Sequence, residues 1–197
     1  MSDFLHELKH DHHVIQQVAA AMSAVAGLLD SGKRVEPGVL VDLVQFLGIF
    51  AGECHCAKEE KYLFPLLETK GDANASRELR QLAAGHRQTA RLVERLAKVA
   101  GAYTRDPVTL QSQLSDVLRQ LAEIYPTQIW KEDSLLFPMA QQTLSEAEQE
   151  LLKDRFQDVE LEIGGDVHAA FELLAKSLGA IVEFRNSAAC PLCAAAA

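Results

Sequence analysis

The chain has no excess of positive charge. Its 19 Lys and Arg stand against 28 Asp and Glu, a formal net charge of −9. An acidic chain is a poor partner for a nucleic-acid backbone or an anionic membrane surface. No uninterrupted apolar run approaches the roughly 20 residues that span a bilayer, so no membrane association is expected. The opening MSDFLHELKHDHH lacks a basic stretch followed by an apolar one, and no secretory signal is expected. Cysteine is scarce, with four residues in two close pairs. Without a signal, that pattern points to a reducing cytoplasm and away from a disulfide scaffold. Strand-like alternation is missing throughout, which argues against any β-containing fold.

What remains is helix. Nearly half of the 197 residues are apolar, enough for one sizeable core. Breaker clusters DSGKRVEPG (30–38), ETKGDANAS (68–76), GAYTRDPV (101–108) and TLSE (143–146) separate long stretches rich in Ala, Leu, Glu, Gln and Arg. Pro107 suits a first helical turn, and Ser145 with Glu148 reads as a capping box. Gly164-Gly165 ends a fifth helix and a sixth follows. The spacing predicts an all-α fold: an up-down-up-down four-helix bundle over 1–143, a C-terminal helical pair over 144–185, and a flexible Cys-containing tail over 186–197.

Four apolar stripes with steps of 3 and 4 define the expected inner faces. On helix 1 the stripe is Leu5, Leu8, His12, Ile15, Ala19, Met22, Ala26, Leu29. On helix 2 it runs Val44, Gly48, Ala51, His55, Glu59, Tyr62, Leu66. Helix 3 reads Leu79, Leu82, His86, Thr89, Val93, Leu96, Ala100. Helix 4 reads Leu114, Val117, Leu121, Tyr125, Gln128, Glu132, Leu135. Each is interrupted by polar groups of the metal-ligating type. Residues four apart lie one turn up the same face, about 6 Å along the axis, so His55 with Glu59, and Gln128 with Glu132, address one point. One buried His is ordinarily a hydrogen-bonded core residue. Two carboxylates among apolar neighbours, with no Lys or Arg on these stripes to pair them, call for a cation. Imidazole with carboxylate suits iron, manganese or zinc better than calcium. His6, His10 and His13 fall on the polar face of helix 1, His10 closest to the candidate site, and His168 falls at the rim of the last helix.

The chain also repeats itself. HCAKEEKYLFPLLE from His55 lies over QIWKEDSLLFPMAQ from Gln128, so that Lys-Glu-acid and Leu-Phe-Pro coincide. With HDHHVI on helix 1 and GHRQTARLV on helix 3, these pieces resemble the hemerythrin-like family of HHE cation-binding domains, over about residues 1–143. The ferritin-like alternative needs inward Glu-x-x-His pairs, which are absent. The resemblance implies a non-heme di-iron centre. His12 and His55 would serve one iron, His86 and residue 128 the other, and Glu59 and Glu132 would bridge. Pro65 and Pro138 would stop or bend the helices where they leave the core.

One ligand departs from the family pattern: Gln128 stands where members usually carry His, and an amide oxygen is a weaker donor to iron than imidazole. Pro126 beside it predicts a kink in helix 4. The expectation is an asymmetric centre, one metal firm and the other loose or missing, with Tyr125 one turn away as a hydrogen-bond partner for a bound oxygen species. Cys54 and Cys56 read as small apolar residues pointing away from His55. Cys190 and Cys193, in CPLC, are candidate redox thiols. Three functions remain open: binding or reduction of a small oxidant (O₂, peroxide or nitric oxide), a regulatory iron or oxygen sensor acting on a protein partner, and a bundle that has lost its metal.

Overall fold

The structure is a computed structural model describing residues 4–186. Six helices and no strand occur among the described residues. We number them α1 (Leu5–Asp30), α2 (Pro37–Lys70), α3 (Ala73–Tyr103), α4 (107–143), α5 (Glu146–Ile163) and α6 (Val167–Asn186). Every connection falls in an expected breaker cluster. Pro37 and Pro107 open α2 and α4, where a missing N–H costs nothing. Asp72 caps α3 by accepting from the Asn74 and Ala75 N–H groups at 2.9 Å. Glu148 accepts from the Ser145 N–H at 2.9 Å and closes the capping box of α5.

The first four helices alternate in direction. The start of α1 meets the end of α4 through His12 and Asp133. Its last turns meet the start of α4, where the Ser115 hydroxyl bonds to Asp30 at 2.6 Å. Thr89 of α3 touches Gln128 of α4, and His86 touches Glu132 further along, so α3 and α4 are antiparallel too. The helical pair α5–α6 lies along α1 and α2. Lys58 of α2 reaches Glu160 of α5, and Phe171 of α6 packs on Phe46 and Phe50.

The core is divided in two. A large cluster built around Ile15, Met22, Phe50, Leu96 and Leu121 fills one end. A smaller one around Leu8, Leu63, Leu82, Phe137 and Phe156 fills the other. Between them lie the polar positions of the four stripes. The inward polar residues thus form one layer, because each helix carries its interruption at the same height.

The register departs from plain α-helix in both copies of the repeat. Glu59–Leu63 and Glu132–Leu136 are π-helical, and so is Phe46–Cys56. The N–H of Phe64 reaches back five residues to the Glu59 carbonyl, and that of Phe137 does the same to Glu132. A π turn adds one residue, which corrects the expected stripes. Leu136 is buried and Leu135 is 44% exposed. Likewise Leu63 and Leu67 are buried where Tyr62 and Leu66 were expected. Pro65 and Pro138 do not stop their helices, which run on to Lys70 and Thr143. Each sits just after the π turn, within the first turn of resumed α-helix, where its lack of an N–H is tolerated. Pro126, where a kink is expected, lies inside helix 4. The α-helix is continuous from Pro107 to Lys131, held by packing on α1 and α3 on either side.

By length and composition α2 could cross a bilayer, contrary to the expectation of no such run. In this fold the reason is enclosure. The helix is covered by the bundle on one side and by α5–α6 on the other, so apolar residues occupy more than one face.

Candidate metal centre

Three imidazoles meet in the polar layer: His12 from α1, His55 from α2 and His86 from α3, all buried. Each turns its Nδ1 outward onto a carboxylate. His12 Nδ1 donates to Asp133 at 2.9 Å, His86 Nδ1 to Glu60 at 2.8 Å, and His55 Nδ1 to Asp11 at 3.4 Å. An imidazole held this way keeps its proton on Nδ1 and presents Nε2 as a lone pair. The inward atoms then crowd together. His12 Nε2 and His55 Nε2 are 3.2 Å apart. Two lone pairs at that distance need a proton or a metal beside them.

The carboxylates complete the cluster. Glu132 places one oxygen 3.1 Å from His12 Nε2 and the other 3.1 Å from His86 Nε2. Glu59 is fully buried, and neither of its oxygens has a hydrogen-bond partner. Its Oε2 lies 3.4 Å from His86 Nε2. Donor atoms of His12, His55, Glu59 and Glu132 all lie within 4.8 Å of one another. The residues present therefore fit a divalent cation: nitrogen and oxygen donors converge, and neither oxygen of the buried Glu59 carboxyl has a hydrogen-bond partner.

The electrostatics agree. Burial, reinforced by the charge of Glu132, pushes the Glu59 carboxyl up to about 8. Burial acts on Glu132 in the same direction, but hydrogen bonds from His12 and His86 overcome it and hold that carboxyl well below the usual range. For His12, burial is outweighed by Asp133 and Glu132, which lift it to about 9. Burial lowers His55 in spite of Asp11, so that ring is set up as a neutral ligand.

Gln128 stands apart from this convergence. Its side-chain oxygen accepts from the Thr89 hydroxyl at 3.0 Å, and its Nε2 is buried without a partner. Tyr125 is buried and lines a cleft of about 440 Å³ together with Cys56, His86, Thr89, Leu47 and Val93. Cys56 is thus at the cleft, beside His86, while Cys54 is buried on another side and burial pushes its thiol up to about 12. His10 bonds to Glu172 of α6 at 2.8 Å and His13 to Gln17, both exposed and away from the cluster. Cys190 and Cys193 lie outside the described residues.

The sequence reading missed the residues that orient the imidazoles. Asp11, Glu60 and Asp133 all hold a ligand-type His, and the signal for two of them was in the repeat, where Glu60 and Asp133 coincide. It also placed no cation in the interior. Lys58 is fully buried, although it serves Asp11 at 3.2 Å, Glu160 at 2.8 Å and Glu7, not Glu59 or Glu132. A long side chain one residue off the inner stripe is drawn in because α5 closes over it. His168, expected at a rim, reaches in to bond Asp11 at 3.0 Å.

No curated protein matches the chain. The family model for the hemerythrin HHE cation-binding domain matches residues 3–140. That match spans the four bundle helices and every residue of the cluster, so the chain belongs to the hemerythrin HHE cation-binding family.

Proposed function

We propose that the chain is a non-heme iron protein that binds or reduces a small oxidant, O₂, peroxide or nitric oxide, at an unequal centre of the di-iron type. Glu59 carries the reading. A carboxylate without solvent or hydrogen bond, among three inward imidazoles, marks the place of a cation. His12 and His55 hold the firm position. His86 would serve the other, where Gln128, its oxygen held by Thr89, brings no imidazole, and Glu59 and Glu132 would supply the anionic oxygens. Iron, when bound, supplies an open coordination position and electrons for the oxidant. The chain supplies the rest. Asp11, Glu60 and Asp133 fix the ring orientations, the cleft beside His86 admits a small molecule, and the Tyr125 hydroxyl offers it a hydrogen bond. Free Cys54 and Cys56 suit a reducing cytoplasm. Metal analysis of anaerobically purified protein, with absorption spectra before and after air, tests this. Iron with an air-dependent spectral change is expected; protein that binds no metal under reconstitution ends the reading.

One observation favours a second reading, a sensor of iron or oxygen. Asp11 holds the ligand His55 and is itself held by His168 and, through Lys58, by Glu160. Metal occupancy is thereby wired to α5–α6, which would report it to a protein partner. Limited proteolysis separates the two. A sensor changes its cleavage pattern in α5–α6 sharply with iron, and an oxidant-reducing protein does not.

A further inference from the structure

The two halves of the bundle carry the same plan with one position missing. In the first half Asp11 and His12 lie side by side on α1, and His55, Glu59 and Glu60 follow on α2. In the second, Gly85 and His86 lie side by side on α3, and Gln128, Glu132 and Asp133 follow on α4. The contacts obey this correspondence. Glu60 of the first half holds His86 of the second, and Asp133 of the second holds His12 of the first. Within the first half, Asp11 holds His55. Its counterpart in the second half is the meeting of residues 85 and 128. A Cβ built on Gly85 would lie 2.8 Å from Gln128 Nε2. Position 85 therefore faces position 128 as Asp11 faces His55, but it brings no acceptor. Lysine follows the same rule. Lys58 is buried on Asp11, whereas its counterpart Lys131 has no carboxylate at 85 to bind and is exposed. Thr89, whose counterpart is the apolar Ile15, bonds the Gln128 carbonyl instead.

We propose that Gly85 and Gln128 together make the centre unequal. A histidine at 128 would find no carboxylate for its Nδ1, so the absence of a carboxylate at 85 and of an imidazole at 128 belong together, and Thr89 holds the amide instead. An unsupported imidazole is a poorly oriented ligand, and the space left by glycine is filled by the amide. The inference rests on the metal reading above and adds to it that position 85 decides how many metals are held.

The test is anaerobic reconstitution with Fe(II) of the full chain and of Gln128→His, Gly85→Asp/Gln128→His and Gly85→Asn/Gln128→His, reading tightly bound metal per chain after gel filtration, and the absorption spectrum. The Asn variant offers an acceptor without burying a charge, so the test survives a misfolded Asp variant. The wild type and Gln128→His are expected to retain the same amount of metal, and at least one double variant to gain a second tight equivalent. A second equivalent in Gln128→His alone, or none in either double variant, overturns the proposal. Absence of metal from every protein, the wild type included, sinks the metal reading itself, which is a distinguishable result.

Discussion

The outer carboxylates make quantitative demands on the site. Glu60 and Asp133 touch no metal position themselves, and their side chains are partly exposed, at 43% and 42%. Yet each fixes the tautomer and angle of a ring. Replacing either by Ala should lower melting only modestly, since both are partly exposed, while weakening metal binding about 10- to 100-fold, measured by competition titration against a chelator. Protons compete at the same atoms. In the metal-free protein His12, raised to about 9, and Glu59, raised to about 8, keep protons at neutral pH that an incoming cation must displace. Both values are raised by folding, so the stability they contribute is present at low pH and lost as pH rises through 8 and 9. The metal-free protein should therefore melt at a lower temperature at pH 9 than at pH 7, and saturating Fe(II) should remove the difference. A melting temperature that is flat over this range without metal would contradict the assignment. These partners explain what could be read beforehand. His12, His55, His86, Glu59 and Glu132 interrupt apolar stripes and are visible by periodicity. Asp11 and Lys58 are not, because their burial comes from helices far along the chain.

At the level of the helix, the π turns that follow the two inward glutamates are the feature that periodicity misses. The repeated Leu-Phe-Pro predicts a stop or a bend, since proline is a helix breaker in isolation. The chain instead widens one turn, bonds Phe64 and Phe137 back to the carbonyls of Glu59 and Glu132, and continues. Both inward glutamates thus open the widened turn, and the inner face shifts by one residue beyond them. The register has a direct check. Leu136→Ala should cost about 2–5 kcal/mol, whereas Leu135→Ala, at an exposed site, should stay within about 1 kcal/mol; denaturant unfolding reads both. Equal costs would mean that the helix keeps its α register through this turn. The helix boundaries, by contrast, were legible because Pro37, Asp72, Pro107 and Ser145 act locally.

Across the molecule, the helical pair α5–α6 is tied to the bundle by charge as well as by apolar contact. Lys58 is enclosed by Glu7, Asp11 and Glu160, and burial, which disfavours its charge, is overcome by these carboxylates, so its ammonium is held above the ordinary lysine range. Lys58→Met removes the cation and strands three carboxylates. A loss of about 3–5 kcal/mol is expected, together with weaker metal binding, since Asp11 also holds His55. Retention of full stability and full affinity in that variant would show α5–α6 to be mere cover. The polar layer itself has a last consequence. It interrupts the apolar interior, so the residues above and below it make no continuous oily column, and cooperativity between the two ends must pass through the ligands. Native-state hydrogen exchange should therefore resolve two blocks of amides, one around Val18–Val25 and one around Leu63–Leu67. They should open independently in the apo protein and fuse into a single slow unit once the ion bolts them together.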